Sequence, residues 1–585
     1  MKRCPECRRD YYDDSLLYCL DDGSALLEGL ASADEPSTAI LHAAELAHES
    51  PTKVQINTTD QRAIVPPGSL PSDQSRSTSS AEYLVGKARS HKRSLAIGLA
   101  ILLFAASGLG YWFFKIHLAT SDSAPINSIA VLPFDNKSGN ADSDYLSDGL
   151  TESLIYKLSQ LPNLKVSPRS SVFRYKGKDI DAETVGAELG VDAVMSGRLV
   201  QRGDSITISI DLVDVRNKKT LWGEQYERKM SDLLATQREI AAEITKKLEL
   251  KLSGDDRKGL TKGYTENNEA YQLYLKGRYH FAKRTKDDVQ KGLDYFEQAI
   301  RLDPNFALAY VGIADIYNSM PLFGYMSPKE AIPLAQRAAM HAVQIDPALA
   351  DGHAALAMSI TTSDWDWVKA QQEFTLALQL DPNNAGTHYR YAESFLLPAG
   401  RTDEAITELK QAMELEPLDL LLGANLAGAY MYAGQNELAV EQGKKTFDLD
   451  PNFVGGRIWL ALIYNANGRY DDALALCEKP LQNFPSDQFC LAISGYANAK
   501  LGRRPDAEEI IKKYREVAKT QYISHYWIGV IFAALGQRDE AFAELEKAFD
   551  DRDLFILRLK IDPLMVSLHE DPRFKNMVRR IGLPE

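Results

Sequence analysis

The sequence predicts a multidomain chain: a small metal-stapled unit, one transmembrane helix, an α+β domain and an all-α superhelix of repeats. Three observations carry this. Three of the five cysteines stand within the first 19 residues. Residues 94–114 contain no charged side chain. From Gly400 onward a glycine returns every 34 positions. A length of 585 residues accommodates several domains.

The N-terminal cysteines come first. Cys4 and Cys7 have the two-residue spacing of a zinc knuckle, and eleven residues separate Cys7 from Cys19. Tetrahedral zinc takes four ligands. A second knuckle needs a donor three positions beyond Cys19, which is Asp22. Asp21, a water or a residue of a second chain would also complete the site. Residues 1–28 are too few to build a core, so this unit is expected to fold on Zn2+ in a structural role. Lys2, Arg3, Arg8 and Arg9 offset the negative charge of three thiolates and a carboxylate. The stretch "CPEC…YCLDDG" resembles bacterial zinc-ribbon domains, which implies a structural rather than a catalytic metal.

Residues 29–80 are rich in Ser, Thr, Ala, Pro and acidic residues without a helical or strand period, and read as a disordered tether. The apolar run 94–114 follows. Twenty-one residues at about 1.5 Å each span the roughly 30 Å hydrocarbon core of a bilayer. Tyr111, Trp112, Phe113 and Phe114 form an aromatic belt at one end. "KARSHKR" precedes the run and only Lys115 follows closely. Positive flanks stay in the cytoplasm. Residues 1–93 are therefore expected inside and residues 115–585 outside a bacterial inner membrane, in the periplasm or beyond.

The chain carries a net charge of −14, while residues 81–117 hold five cations and one acid. The remainder is more acidic still, which disfavours a nucleic-acid partner. Residues 126–252 alternate strand and helix signals: strand 128–134, helix 144–161, a short strand "LKVSP", helix 181–190 closed by Gly190, a three-stranded meander, and helix 232–252. Ile206, Ile208, Ile210 and Leu212 alternate with polar residues, giving the middle strand one buried face. The order predicts an α+β layer. "SIAVLPFDNKSGNADSDYLSDGLTESL", "AELGVDAVMSGRL" and "LWGEQYER" resemble the TolB amino-terminal-type domain, which implies this fold and an association with repeats in signalling proteins. The acidic residues Asp135, Asp142, Asp144 and Asp148 read as helix capping and solvation, and "RYKGK" (174–178) as a solvated loop.

The repeats are the strongest signal. "AGRTDEA", "AGQNELA", "NGRYDDA", "LGRRPDA" and "LGQRDEA" place Gly400, Gly434, Gly468, Gly502 and Gly536 in register, each with an alanine five positions on. Pro304, Pro347, Pro382, Pro417, Pro451 and Pro485 mark helix ends. This is the tetratricopeptide pattern. About eight helix pairs are expected over 268–550, with an insertion "SMPLFGYMS" (319–327) in the second and a capping segment at 551–585. Such arrays form a superhelix with a concave groove. Alignment on the glycines turns Arg390, Ser394, Tyr432, Asn465, Tyr496 and Tyr526 toward that groove, where exposed aromatics and arginine would anchor a protein or peptide partner; the alternative is that the tyrosines pack between helices. Cys477 and Cys490 fall on apolar helix faces and are expected to be buried thiols.

No phosphate loop, kinase set, HExxH or nucleophile elbow occurs. The expected function is therefore non-enzymatic: a single-pass membrane scaffold with a cytoplasmic zinc ribbon and an extracytoplasmic repeat array that binds protein partners. The alternative is an envelope sensor-transducer whose TolB-type domain takes a small ligand.

Overall fold

The structure is a computed structural model that describes residues 126–139, 143–159, 161, 164–248 and 265–583, together with three short strands near the N-terminus. The chain divides into two units, Met1–Ala124 and Pro125–Glu585. In the first, strand β1 (Lys2–Arg3) pairs antiparallel with both β2 (Asp10–Tyr11) and β3 (Leu27–Glu28). Cys4, Cys7, Cys19 and Asp22, the tether 29–80 and the apolar run 94–114 lie outside the described residues. No helix among the described residues is long and apolar enough to cross a membrane.

The second unit begins with an α/β region. Its sheet runs β6 (Lys165–Val166), β4 (Ser128–Val131), β7 (Ala193–Arg202), β8 (Ser205–Asp214), β9 (Lys219–Lys229), with β5 (Asp135–Asn136) also on β7. The first three strands are parallel and the meander β7–β8–β9 is antiparallel. Along β8 the even-numbered Ile206, Ile208, Ile210 and Leu212 are buried, as the alternation requires. Helices α1 (Asp144–Ser159), α2 (Arg169–Phe173), α3 (Ala182–Leu189) and α4 (Leu233–Lys247) accompany the sheet. Asp181 caps α3 by accepting from the Thr184 amide, and Gly190 ends it at φ 63°. Helix α2 has no counterpart in the sequence reading, because five residues are too few to show a period. In the acidic loop, Lys176 of "RYKGK" meets Asp148 at 2.7 Å. The turn is otherwise solvated, with Arg174, Lys176, Gly177 and Lys178 exposed, as the sequence reading expected.

Among the described residues, eight antiparallel helix pairs follow, from α5 (Asn268–Ala282) and α6 (Lys286–Leu302) to α19 (His525–Ala534) and α20 (Arg538–Asp550). The first helices are α5, α7 (Ala307–Ser319), α9 (Ala350–Ser363), α11 (Ala385–Tyr391), α13 (Leu420–Tyr432), α15 (Val454–Ala466), α17 (Gln488–Lys500) and α19. Each of the five marked glycines adopts φ between 72° and 75° at the turn within a pair. The next residue's N–H then reaches back five residues, as from Gln435 to the Tyr430 carbonyl or Arg469 to Tyr464, closing the first helix. The second helices ending at Leu302, Ile345, Leu380, Leu415, Leu449 and Asn483 all stop two residues before the marked prolines, since the residue before proline is driven out of the helical region. His353, His388 and His525 stitch their pairs by setting Nδ1 on Glu373 (2.6 Å), Glu408 (2.5 Å) and Glu544 (2.7 Å) of the companion helix. Cys477 and Cys490 are both buried.

The array does not stay open. Beyond α20, two 3₁₀ turns (Leu554–Arg558 and Pro563–Leu568) and helix α21 (Pro572–Ile581) fold back, burying Ile556, Leu559, Met565 and Leu568 completely. The insertion in the second pair reaches the seventh: Gln488 Nε2 donates to the Leu322 carbonyl at 3.3 Å. Trp365, in the turn of the third pair, meets Phe549 edge-to-face (5.0 Å) and lies under the Arg552 guanidinium (3.7 Å).

Candidate binding cleft between the α/β region and the repeats

The inner side of the later repeats is filled by the chain itself. Arg558 projects from the first 3₁₀ turn to the buried Glu393 at 2.5 Å, and its guanidinium lies near the rings of Tyr432 (5.4 Å) and Trp459 (5.8 Å). Tyr526, 1 % exposed, donates to Asp562 at 2.7 Å. Tyr496 is 5 % exposed, and Asn465 is buried and donates to the Ile493 carbonyl. Tyr432 is half-buried under Arg558, and Ser394 is half-buried in a π-turn, Ala392–Leu396, that prolongs α11. Arg390 pairs with Asp315 at 3.1 Å. The expectation of exposed anchors along an open groove is thus corrected. The apolar residues of 554–568 find their burial there, so the inner tyrosines meet this chain's own side chains.

What stays accessible lies nearer the start of the array. Tyr271 of α5 hydrogen-bonds Ser153 of α1 and Gln237 of α4, both at 2.8 Å, and Leu275 packs against Gly149 so closely that a Cβ there would lie 2.8 Å from it. Ala270, Tyr271, Leu275 and Phe306 thereby join the apolar core of the α/β region. Beside this seam opens a cavity of about 730 Å3. Glu152, Arg169 and Gln237 line its α/β wall; Tyr274, Arg278, Asp315, Asp351, Asp381, Arg390 and Glu416 line its repeat wall.

The charges form a ladder. Glu152 is ion-paired with Arg169 and lies 3.7 Å from Arg278. Asn384 donates to Asp351 at 3.2 Å, and burial, reinforced by the charge of Asp351, pushes Asp381 up. One Arg390 Nη1 is buried without a hydrogen-bond partner. At the far rim Ser170 donates to Glu416 at 3.1 Å, tying α2 to the end of the fourth pair. The described residues lining the cleft include neither His nor Cys. Its lining offers hydrogen-bonding and charged groups of both signs.

Glu416 makes this seam sensitive to pH. Burial first, then the neighbouring Asp419 carboxylate, pushes its pKa from 4.5 up to about 8. A carboxyl that binds its proton more tightly when folded contributes stability fully below its unfolded pKa, and that contribution is lost as pH rises toward the folded value. Glu416→Gln is therefore expected to melt like the wild type at pH 5 and several degrees higher at pH 9. Equal melting temperatures at both pH values would show that Glu416 is solvated.

None of Arg390, Ser394, Tyr432, Asn465, Tyr496 and Tyr526 except Arg390 lines this cleft. The cleft escaped sequence reasoning: Asp315 and Asp351 stand in the first helices of the second and third pairs, but Asp381 caps the second helix of the third, so no repeat period links the three. Among the described residues no group of three or more His, Cys, Asp or Glu side chains is arranged to hold a metal ion.

The chain therefore combines a helical tetratricopeptide superhelix with an α/β region. Residues 425–487 match the family model of the tetratricopeptide repeat. Residues 125–243 match that of the HilA/YgeH-like transcriptional regulator, second domain. A protein of Rhizobium meliloti (strain 1021), provisionally named adenylate cyclase 3, is 31% identical over 240 residues, covering 40% of this chain and 40% of its own length. The chain thus spans two-fifths of that relative. Of solved structures, the human IFIT1 dimer with m7Gppp-AAAA aligns over 54% of this chain and 77% of its own, at 16% identity and a TM-score of 0.38. TolB from Acinetobacter baumannii aligns over 22% of this chain and 29% of its own, at 20% identity and a TM-score of 0.16.

Proposed function

We propose that this chain is a membrane-anchored signalling scaffold. In this reading residues 94–114 cross a bacterial inner membrane once, Cys4, Cys7, Cys19 and Asp22 hold a structural Zn2+ in the cytoplasm, and the α/β region and repeats face the periplasm or cell exterior to recruit protein partners. The observation that carries the reading is the tetratricopeptide array, a repeat type built for protein contacts, fused through a shared core to the α/β region. The HilA/YgeH-like match, described as part of a regulator, supports a signalling role, as does the TolB-type resemblance. The cyclase name belongs to the Rhizobium protein, of which only 40% is shared.

The test is topology together with metal content. A reporter active only in the periplasm should be active after Glu585 and silent at Ser80. Purified full chain should carry one zinc, lost on Cys7→Ser. The reverse reporter pattern, or zinc-free protein, would overturn the arrangement.

The second reading is an envelope sensor in which the α/β region takes a small ligand. One observation favours it: the cavity of about 730 Å3 against the repeats, in a molecule whose remaining inner surface is occupied by its own C-terminal segment.

A further inference from the structure

Two consecutive helix pairs carry the same three residues in the same register. Pro347, His353 and Glu373 of the third pair recur 35 positions on as Pro382, His388 and Glu408 of the fourth. No other marked proline has a histidine six residues after it. The proline opens the pair and the histidine stands on its first helix. The glutamate stands on its second, α10 (Trp367–Leu380) or α12 (Thr402–Leu415).

Each ring is engaged at both nitrogens. His353 Nδ1 lies 2.6 Å from Glu373, and its Nε2 lies 2.9 Å from the Pro347 carbonyl. His388 repeats this with Glu408 at 2.5 Å and the Pro382 carbonyl at 2.9 Å. A carboxylate and a carbonyl only accept, and a neutral imidazole has a single N–H to give. Both bonds therefore form together in the imidazolium. The histidine side chains are 6% and 11% exposed, so water does not readily replace a lost bond. The charged groups facing His353 are Glu373 and Asp346 of the preceding turn, and those facing His388 are Glu408 and Asp381 of its own turn. All four are acids. The Glu373 hydrogen bond, opposed by burial and aided by the Pro347 carbonyl, raises His353 above 6.5. Burial opposes the charge on His388, but Glu408 and the Pro382 carbonyl outweigh it and raise His388 as well. The turn that His388 holds belongs to the cleft wall: Asp381, Asn383 and Asn384 line it, and Asn384 donates to Asp351, two residues before His353.

We propose that the third and fourth pairs form a tandem pH switch, in which two imidazolium clamps fasten the turns at Pro347 and Pro382 to the companion helices and release them when the rings lose their protons. A histidine whose folded pKa is raised contributes stability fully below its unfolded pKa, and that contribution is lost as pH rises through the folded value. The clamps are closed in mildly acidic medium and open in alkaline medium, and the repeat wall of the cleft loosens with them. This is independent of the membrane and zinc assignments and of any occupant of the cleft.

Two measurements on the full chain test it. Carbon-13 labelling of the histidine rings follows their titration by NMR, with His353 and His388 assigned by their glutamine variants. Hydrogen exchange read by mass spectrometry, corrected for the intrinsic rate at each pH, gives the protection of 346–353 and 381–388. Both rings should titrate above 6.5, and protection of both segments should fall at least ~10-fold between pH 6 and pH 9. Segment 450–457, where Arg457 stands in the histidine position, should not change. Glu408→Gln should lower the titration of His388 and move the loss of protection at 381–388 to lower pH, and Glu373→Gln should do the same for His353. The same behaviour in a Glu416→Gln background separates the clamps from that carboxyl. Rings that titrate at or below 6.5, protection that is equal at both pH values, an equal fall at 450–457, or a His388 titration unmoved by Glu408→Gln would each overturn the switch.

Discussion

Arg558→Met is expected to destabilise the second unit by about 3–5 kcal/mol, because it leaves the Glu393 carboxylate buried without its cation. The Arg558 side chain is 15% exposed and that of Glu393 7%, so solvent screens the pair little. Urea denaturation of wild type and variant measures the loss. Met keeps the apolar stem packed near Tyr432 and Trp459, so the loss reports the ion pair rather than a cavity. Removing both charges in Glu393→Gln/Arg558→Met should recover most of it, since a neutral pair has no uncompensated charge to bury. A loss below about 1 kcal/mol would place the pair in the range of exposed salt bridges and would mean that the C-terminal segment does not hold Arg558 against Glu393.

Phe296→Ala is expected to cost a similar amount, about 3–5 kcal/mol, by a different mechanism. Phe296 is fully buried in α6, with its ring 5.7 Å from that of Tyr274. It fills the space that two glycines leave: a Cβ at Gly277 or Gly312 would fall 2.5 or 2.6 Å from it. Removing the ring opens a cavity beneath Tyr274, which lines the cleft, so the variant should lose urea resistance. Unchanged stability would mean that the first two pairs collapse around the gap. Phe296→Leu, which keeps most of the volume, should fall in between.

These two sites differ in how legible they were. The pair-by-pair architecture was written in residue identity because the backbone demands it. Gly434 and its counterparts at 34-residue intervals sit at positive φ, where a side chain is strained, and Pro451 and its counterparts exclude a helical residue before them. The alternation along β8 was equally plain, since one face of the strand is buried. Helix α2 was not legible, because five residues hold less than two turns. The filled inner surface left no local trace. Tyr432 and Tyr526 occupy the positions that a partner-binding tyrosine would, and nothing near them in sequence distinguishes a partner from Arg558, 126 residues after Tyr432, or from Asp562, 36 residues after Tyr526. The cleft was hidden for the same reason: Ser170 meets Glu416 across 246 residues.

Residues 554–583 are an integral part of the array, which leaves the cleft rather than an open groove for recognition. Native-state hydrogen exchange of the full chain tests this most directly. The amides of Ile556, Leu559, Met565 and Phe574 should exchange as slowly as those in the core of α17 and α19, in one cooperative unit with them. Exchange of the 554–583 amides within seconds, while α17 and α19 stay protected, would instead show a detached segment and an open groove.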